Sequence, residues 1–137
     1  MAEVVGLVAS IATLVQTTRY AIKFIGEVKD SSRECSRLLV ELSMTAGILD
    51  SLRAMLEGDS EKTWLSTARS LGEPQGPLTQ FESLVGALVS KLKPSTGLRK
   101  AGKAITWPFR KEEVKDMLGA IERQKTMFTL ALELDQV

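Results

Sequence analysis

Few side chains in this sequence combine the residue type and the spacing that catalysis requires. The 137 residues contain no histidine, so the commonest general base and the usual zinc ligand are both missing. The single cysteine, Cys35, has no partner for an internal disulfide and lies among leucines at helical spacing. That setting predicts a small buried apolar residue rather than a reactive thiol. We therefore expect no metal, no organic cofactor and no enzymatic activity.

Two groups of residues imitate catalytic motifs. Residues 97–104 follow the phosphate-loop pattern GxxxxGK, but Ala104 stands where a serine or threonine hydroxyl would hold magnesium. A phosphate loop must also follow a buried strand, and the lysine-rich and proline-containing residues before position 97 do not predict one. Glu112, Glu113 and Asp116 are typical of charges favoured near a helix N-terminus. Neither group predicts nucleotide binding or acid–base catalysis.

The first 18 residues carry one charge, Glu3, and sort by size onto two faces of a helix. At about 100° per residue, one face holds the large apolar side chains, namely Val4, Leu7, Val8, Ile11, Leu14 and Val15. The opposite face holds small residues, namely Ala2, Gly6, Ala9, Ser10 and Thr13. Small residues spaced four apart let two helix backbones approach closely. This segment is therefore the first candidate for a functional role.

Several placements of this N-terminal segment are open. A helix that is apolar all round is usually buried in a core, and the same helix can leave the core later. A permanent transmembrane span is disfavoured because the uncharged residues 4–18 rise about 22 Å, less than the roughly 30 Å of hydrocarbon. A secretory signal is disfavoured because acidic Glu3 stands where positive charge belongs. We therefore expect a cytoplasmic protein at rest.

Apolar residues recur at helical spacing through the rest of the chain. Helices are predicted at 31–58, where Ser31 and Glu34 form a capping box, at 61–71, at 77–92 and at 114–132. Thr17 and Thr18 are β-branched and predict a bend or break in residues 1–28. The fold class is therefore all-α, a bundle of four main helices with one or two short ones, in a single domain over residues 1–137.

Charge is unevenly distributed along the sequence. Between Glu82 and Glu112 there is no acidic residue, and the interval contains seven cations, namely Lys91, Lys93, Arg99, Lys100, Lys103, Arg110 and Lys111. Clustered cations attract nucleic acid or an anionic membrane surface, and Trp107 in the same stretch is typical of a membrane interface. The alternative is that Trp107 and Phe109 close the base of the bundle. No nucleic-acid reading motif accompanies the charge, so nucleic acid is not an expected partner.

Residues 1–12 (MAEVVGLVASIA), the long helix that begins at Ser31 and residues 107–113 (WPFRKEE) together resemble the HeLo-like domains of fungal NOD-like receptors and related signal-transducing NTPases. The resemblance implies a helical bundle related to the cell-death domains of heterokaryon incompatibility proteins. It also implies that nucleotide-binding and sensor modules follow Val137 in the parent protein.

The resemblance further implies that activation releases the first helix, which inserts into the plasma membrane and permeabilises it. Insertion would use the residues of the large face together with the adjacent Val5, namely Val4, Val5, Leu7, Val8, Ile11, Leu14 and Val15. Self-association would use the small face, with Glu3 facing water in a pore. Lys91, Lys93, Arg99, Lys100, Lys103, Trp107, Arg110 and Lys111 would contact anionic lipid. The alternative function is a non-toxic oligomerisation or adaptor bundle.

Overall fold

A computed structural model describes residues 2–28, 33–58, 71, 74–92 and 107–135, with side chains except at positions 2–4, 58, 134 and 135. The elements within these residues are four helices, namely α1 (Ala2–Gly26), α2 (Arg33–Gly58), α3 (Pro77–Leu92) and α4 (Lys111–Asp135). The predicted all-α bundle with four main helices is confirmed. The predicted short helix at 61–71 lies outside the described residues, apart from buried Leu71, and so does the capping serine Ser31.

Helix α1 continues through Thr17 and Thr18, so the break predicted there is absent. Both hydroxyls donate to carbonyls one turn earlier, Thr17 to Thr13 at 3.0 Å and Thr18 to Leu14 at 2.7 Å. A β-branched residue lowers helix stability by only a few tenths of a kcal/mol. Burial of the apolar residues that follow outweighs this penalty and holds the chain in one helix.

The four helices form a ring in which each helix packs against two others. Helix α1 packs against α2 and α3, and α4 packs against the same two helices from the other side. Phe81 of α3 and Phe128 of α4 meet edge to face in the core, with ring centroids 5.9 Å apart. Leucines dominate the rest of the core, which includes Leu38, Leu42, Leu49, Leu52, Leu56, Leu88 and Leu92.

Contacts along the helices establish their directions. Phe81, near the start of α3, contacts Phe128, near the end of α4, whereas Lys91, at the end of α3, lies 3.9 Å from Glu113 at the start of α4. Helices α3 and α4 are therefore antiparallel. The connection between α1 and α2 is short, which makes these two neighbours antiparallel as well.

Helices α2 and α4 run parallel. Lys111 at the start of α4 lies 3.9 Å from Glu34 at the start of α2, and Lys125 further along α4 lies 2.8 Å from Glu41. The ends of α1 and α3 and the starts of α2 and α4 consequently share one end of the bundle. The start of α1 lies at the opposite end, about 37 Å away along a 25-residue helix.

Candidate functional site

The large-residue face of α1 points into the core. Ile11, Leu14 and Val15 are buried, with exposures of 0%, 4% and 6%. Leu7 and Val8, nearer the N-terminus, are partly buried against the same core. Val5 differs from the other residues predicted to insert, because it is 69% exposed. The side chain of Val4 lies outside the described residues.

The small-residue face of α1 points to solvent. Gly6, Ala9, Ser10 and Thr13 are all exposed, while the side chains of Ala2 and Glu3 lie outside the described residues. A Cβ placed on Gly6 would meet no atom within 4 Å, so the resting bundle does not require a glycine there. Within the part of the chain that the structure describes, this face is therefore mostly open to solvent.

A shallow groove of about 300 Å³ follows the small-residue face where α1 meets α3. Its lining contains Ala9, Ser10, Thr13, Leu14, Thr17 and Glu82. Glu82 comes from α3 and supplies a carboxylate beside an otherwise uncharged wall. Nothing in the local sequence around α1 pointed to Glu82, because its position depends on how α3 packs against α1.

Three threonine hydroxyls of α1 are satisfied within the helix itself. Thr13 donates to the carbonyl of Ala9 at 3.0 Å, and Thr17 and Thr18 make the equivalent bonds to Thr13 and Leu14. Bonds of this kind do not depend on neighbouring helices. They would stay intact if α1 moved as a unit, so these three threonines add no unsatisfied donors in an apolar medium.

Helix α1 also has the length and composition of a membrane span. Within the described residues it is the one helix that meets this test, over Val5–Gly26, with a mean hydropathy of 1.2. Core helices of soluble proteins can meet the same test, but those helices are mostly buried. In α1, 28% of the residues in the most apolar 18-residue stretch are buried in the bundle.

The aromatic residues at the other end of the bundle are half-buried rather than free. Trp107 and Phe109 pack edge to face, with ring centroids 5.1 Å apart, and both contact the core. Lys91 lies over the Phe109 ring at 5.4 Å from its centroid. These contacts favour the alternative in which the two rings close the base of the bundle.

The described cations of the basic stretch lie beside carboxylates, one of them on another helix and one near in sequence. Lys91 and Arg110 lie 3.9 and 3.8 Å from Glu113, and Lys111 lies 3.9 Å from Glu34. All three side chains are more than half exposed, so these pairs are weak. This end of the bundle therefore carries mixed charge where the structure describes it. The remaining predicted lipid contacts, namely Lys93, Arg99, Lys100 and Lys103, lie outside the described residues.

Cys35, Glu112 and Glu113 lie at positions that the fold explains. Cys35 is 1% exposed, as predicted, and burial raises the pKa of its thiol. Glu112 and Glu113 lie in the first turn of α4, as expected for charges that favour a helix N-terminus. Among the described residues, no three histidine, cysteine or carboxylate side chains group together as metal ligands. The phosphate-loop imitation at 97–104 lies outside the described residues.

Sequence reasoning missed a second groove, of about 460 Å³, between α1 and α2. Its lining is formed by Arg19, Ile22, Lys23, Ser43, Ala46 and Gly47. Two features of the sequence could have indicated it: Arg19 and Lys23 are one helical turn apart, and Gly47 lies within a long helix. A Cβ on Gly47 would meet no atom within 4 Å.

Two polar features inside the bundle also became visible only in the structure. The ammonium group of Lys125 donates to Glu41 on α2 at 2.8 Å and lies 3.1 Å from Glu122. The hydrogen bond to Glu41 is the main reason that the pKa of Lys125 is raised. Gln124 is 5% exposed, and its Oε1 has no hydrogen-bond partner among the described residues.

Comparison of the chain with protein-family models, with curated proteins and with solved structures finds no match.

Proposed function

We propose that this chain is a HeLo-like cell-death effector domain that permeabilises the plasma membrane through α1. The state of α1 carries the proposal. This helix has the length and composition of a membrane span, and its residues Ile11, Leu14 and Val15 are buried in the bundle at rest. In the proposal, downstream nucleotide-binding and sensor modules control when α1 leaves the bundle.

The packing of the bundle supports the release of α1 as a unit. Helix α1 contacts α2 and α3, and α4 contacts the same two helices from the opposite side. When α1 departs, α4 still connects α2 and α3. The rest of the bundle therefore keeps two of its four main helix–helix interfaces.

The membrane compensates for what α1 loses on leaving the core. Withdrawing Ile11, Leu14 and Val15 from the core into water costs about 1.5–3 kcal/mol for each side chain. Hydrocarbon removes these three side chains from water again, so their part of the cost persists only while α1 is in transit, whereas the apolar faces that α1 leaves on α2 and α3 still need to be covered. The internally bonded threonines add no further polar penalty.

The charges on α1 favour one orientation in the membrane. Val5–Gly26 rises about 33 Å, close to the roughly 30 Å of hydrocarbon. Arg19 and Lys23 lie toward the C-terminal end of this segment, and both side chains are exposed at rest. Their long stems reach the headgroups of the cytoplasmic leaflet, which attracts cations, while the N-terminal residues cross.

The small-residue face supplies the contact for self-association. Gly6, Ala9, Ser10 and Thr13 would let inserted copies of α1 approach closely. The same face is already exposed in the resting bundle, which favours a second candidate function. In that alternative the chain is an adaptor that self-associates while α1 stays in place.

Dye release separates the two functions. The purified chain is added to liposomes of phosphatidylcholine alone and of phosphatidylcholine with phosphatidylserine, and its association state is measured in parallel by light scattering. Leakage from the anionic vesicles is expected for the membrane effector. Stable self-association without leakage or flotation would contradict it and favour the adaptor.

A further inference from the structure

The groove between α1 and α2 places two cations opposite small residues. Arg19 and Lys23 stand on the α1 side, and Ser43, Ala46 and Gly47 form the α2 side. Among its described lining residues there are two cations and no carboxylate. The groove has a volume of about 460 Å³ and is open to solvent, since Arg19, Lys23, Ser43 and Gly47 are all exposed.

The two groove cations have no ion-pair partner among the residues that the structure describes. Lys91, Arg110 and Lys111 each lie within 4 Å of a carboxylate, and so does the half-buried Lys125. Arg19 and Lys23 are exposed side by side, and they share the lack of a described ion pair with other surface cations such as Arg33 and Arg37. Two like charges one turn apart repel each other slightly, and an anion between them would relieve that repulsion.

The chemistry of this pair suits a phosphate group. Arginine presents a planar fork that binds two phosphate oxygens at once, and lysine adds a compact charge that can follow the ligand. The opposite wall is low, because a Cβ on Gly47 would meet no atom within 4 Å. A phosphate with a substituent the size of a sugar or a headgroup therefore has room.

We infer that the groove formed by Arg19, Lys23, Ser43 and Gly47 binds a phosphate-bearing group, either a lipid headgroup or a soluble phosphate ester. A ligand in this groove bridges α1 and α2. A soluble ligand would hold α1 in the resting bundle, because it binds the closed arrangement better than the open one. A phospholipid would instead bring the cations of α1 to the membrane surface. This regulatory consequence rests on the proposed function, whereas the binding site itself does not.

Four variants of the intact chain test the groove. Arg19→Gln with Lys23→Gln removes both charges, and Gly47→Leu keeps the charges but fills the groove. The matched control for charge is Arg33→Gln with Arg37→Gln, an exposed pair with the same spacing on α2 outside the groove. The matched control for the glycine is Gly86→Leu on α3, where an added Cβ also meets nothing within 4 Å.

Binding is measured separately from leakage, so failure of the site and failure of the proposed function are distinguishable. Inorganic phosphate is titrated while backbone amide NMR shifts are followed, and sedimentation is measured with vesicles of phosphatidylcholine with or without phosphatidic acid. Shifts are expected at residues 19–23 and 43–47. The Arg19/Lys23 variant should bind phosphatidic acid vesicles about thirtyfold more weakly, since each cation contributes a factor of about five. Gly47→Leu should also weaken binding.

The arms of the experiment identify the source of the phosphate. Response to inorganic phosphate that both groove variants abolish supports a soluble ligand. Response to phosphatidic acid vesicles alone, lost in both groove variants, supports a lipid headgroup. Two results would overturn the inference. The first is an equal loss of binding in the Arg33/Arg37 control, which would mean that net charge alone attracts the ligand. The second is unchanged binding by Gly47→Leu together with no NMR shift changes at the groove residues. Thermal unfolding of each variant confirms that the comparison is between folded proteins.

Discussion

Ala12→Glu is the substitution that most cleanly separates the resting bundle from the inserted helix. Ala12 is exposed at rest and lies near the middle of the uncharged residues 5–18. An exposed helical position tolerates glutamate within about 0.5 kcal/mol, because its helix propensity is close to that of alanine. In the membrane, a charged side chain near the centre of a span costs about 2.5–3.5 kcal/mol, so insertion should fall about one hundredfold.

The assay compares Ala12→Glu with two matched variants in dye release from anionic liposomes. Ala87→Glu places the same charge on an exposed alanine of α3, so it reproduces any general repulsion from the vesicle surface. Ala12→Gln changes the same position without adding charge. Chemical denaturation should show equal free energies of unfolding for Ala12→Glu and Ala87→Glu, within about 0.5 kcal/mol. Ala12→Glu should lose leakage while both controls keep most of it. Equal leakage by Ala12→Glu and Ala87→Glu would refute insertion of α1.

Three further predictions concern assembly and stability. Gly6→Leu with Ser10→Leu should leave the resting fold and vesicle flotation intact but abolish leakage, because large side chains on the exposed small face block close helix approach. Leakage equal to that of the parent would exclude this face from assembly. Gln124→Leu should raise the free energy of unfolding in urea by about 1 kcal/mol, since it removes a buried carbonyl that has no partner among the described residues. A decrease would show that the amide is satisfied in solution. Because the pKa of Lys125 is raised, its contribution to stability is fully present below about pH 10.5 and is lost as pH rises through the higher pKa of the folded state. Lys125→Met should therefore lose less stability than the parent between pH 9 and 12, and parallel stability curves would contradict the role of the Glu41 hydrogen bond.

The helices could be predicted from the sequence because their signals are local. Pro77 at a first-turn position predicted the start of α3, and Pro94 predicted its end close to the observed Leu92. The division of α1 into a large face and a small face was equally local, since it follows from angular spacing alone. A bend or break was predicted at Thr17 and Thr18; the break is absent because tertiary burial outweighs a propensity difference of a few tenths of a kcal/mol.

The charge environment could not be predicted from the sequence, because ion pairs join residues that are distant in the chain. The basic stretch between Glu82 and Glu112 contains no acid, which predicted a patch of one sign. Packing brings Glu34 from α2 to Lys111, so this end of the bundle carries both signs where it is described. The ion pair of Lys125 with Glu41 connects residues 84 positions apart.

The sequence by itself determined that α1 is apolar, helical and sorted by residue size, because each of these properties depends on residues within a few turns of one another. The tertiary structure alone decided which face of α1 is covered. Packing against α2 and α3 buries Ile11, Leu14 and Val15 and leaves Gly6 and Ala9 in solvent. It also placed Arg19 and Lys23 beside Gly47, because the antiparallel register of two helices sets which side chains share a groove.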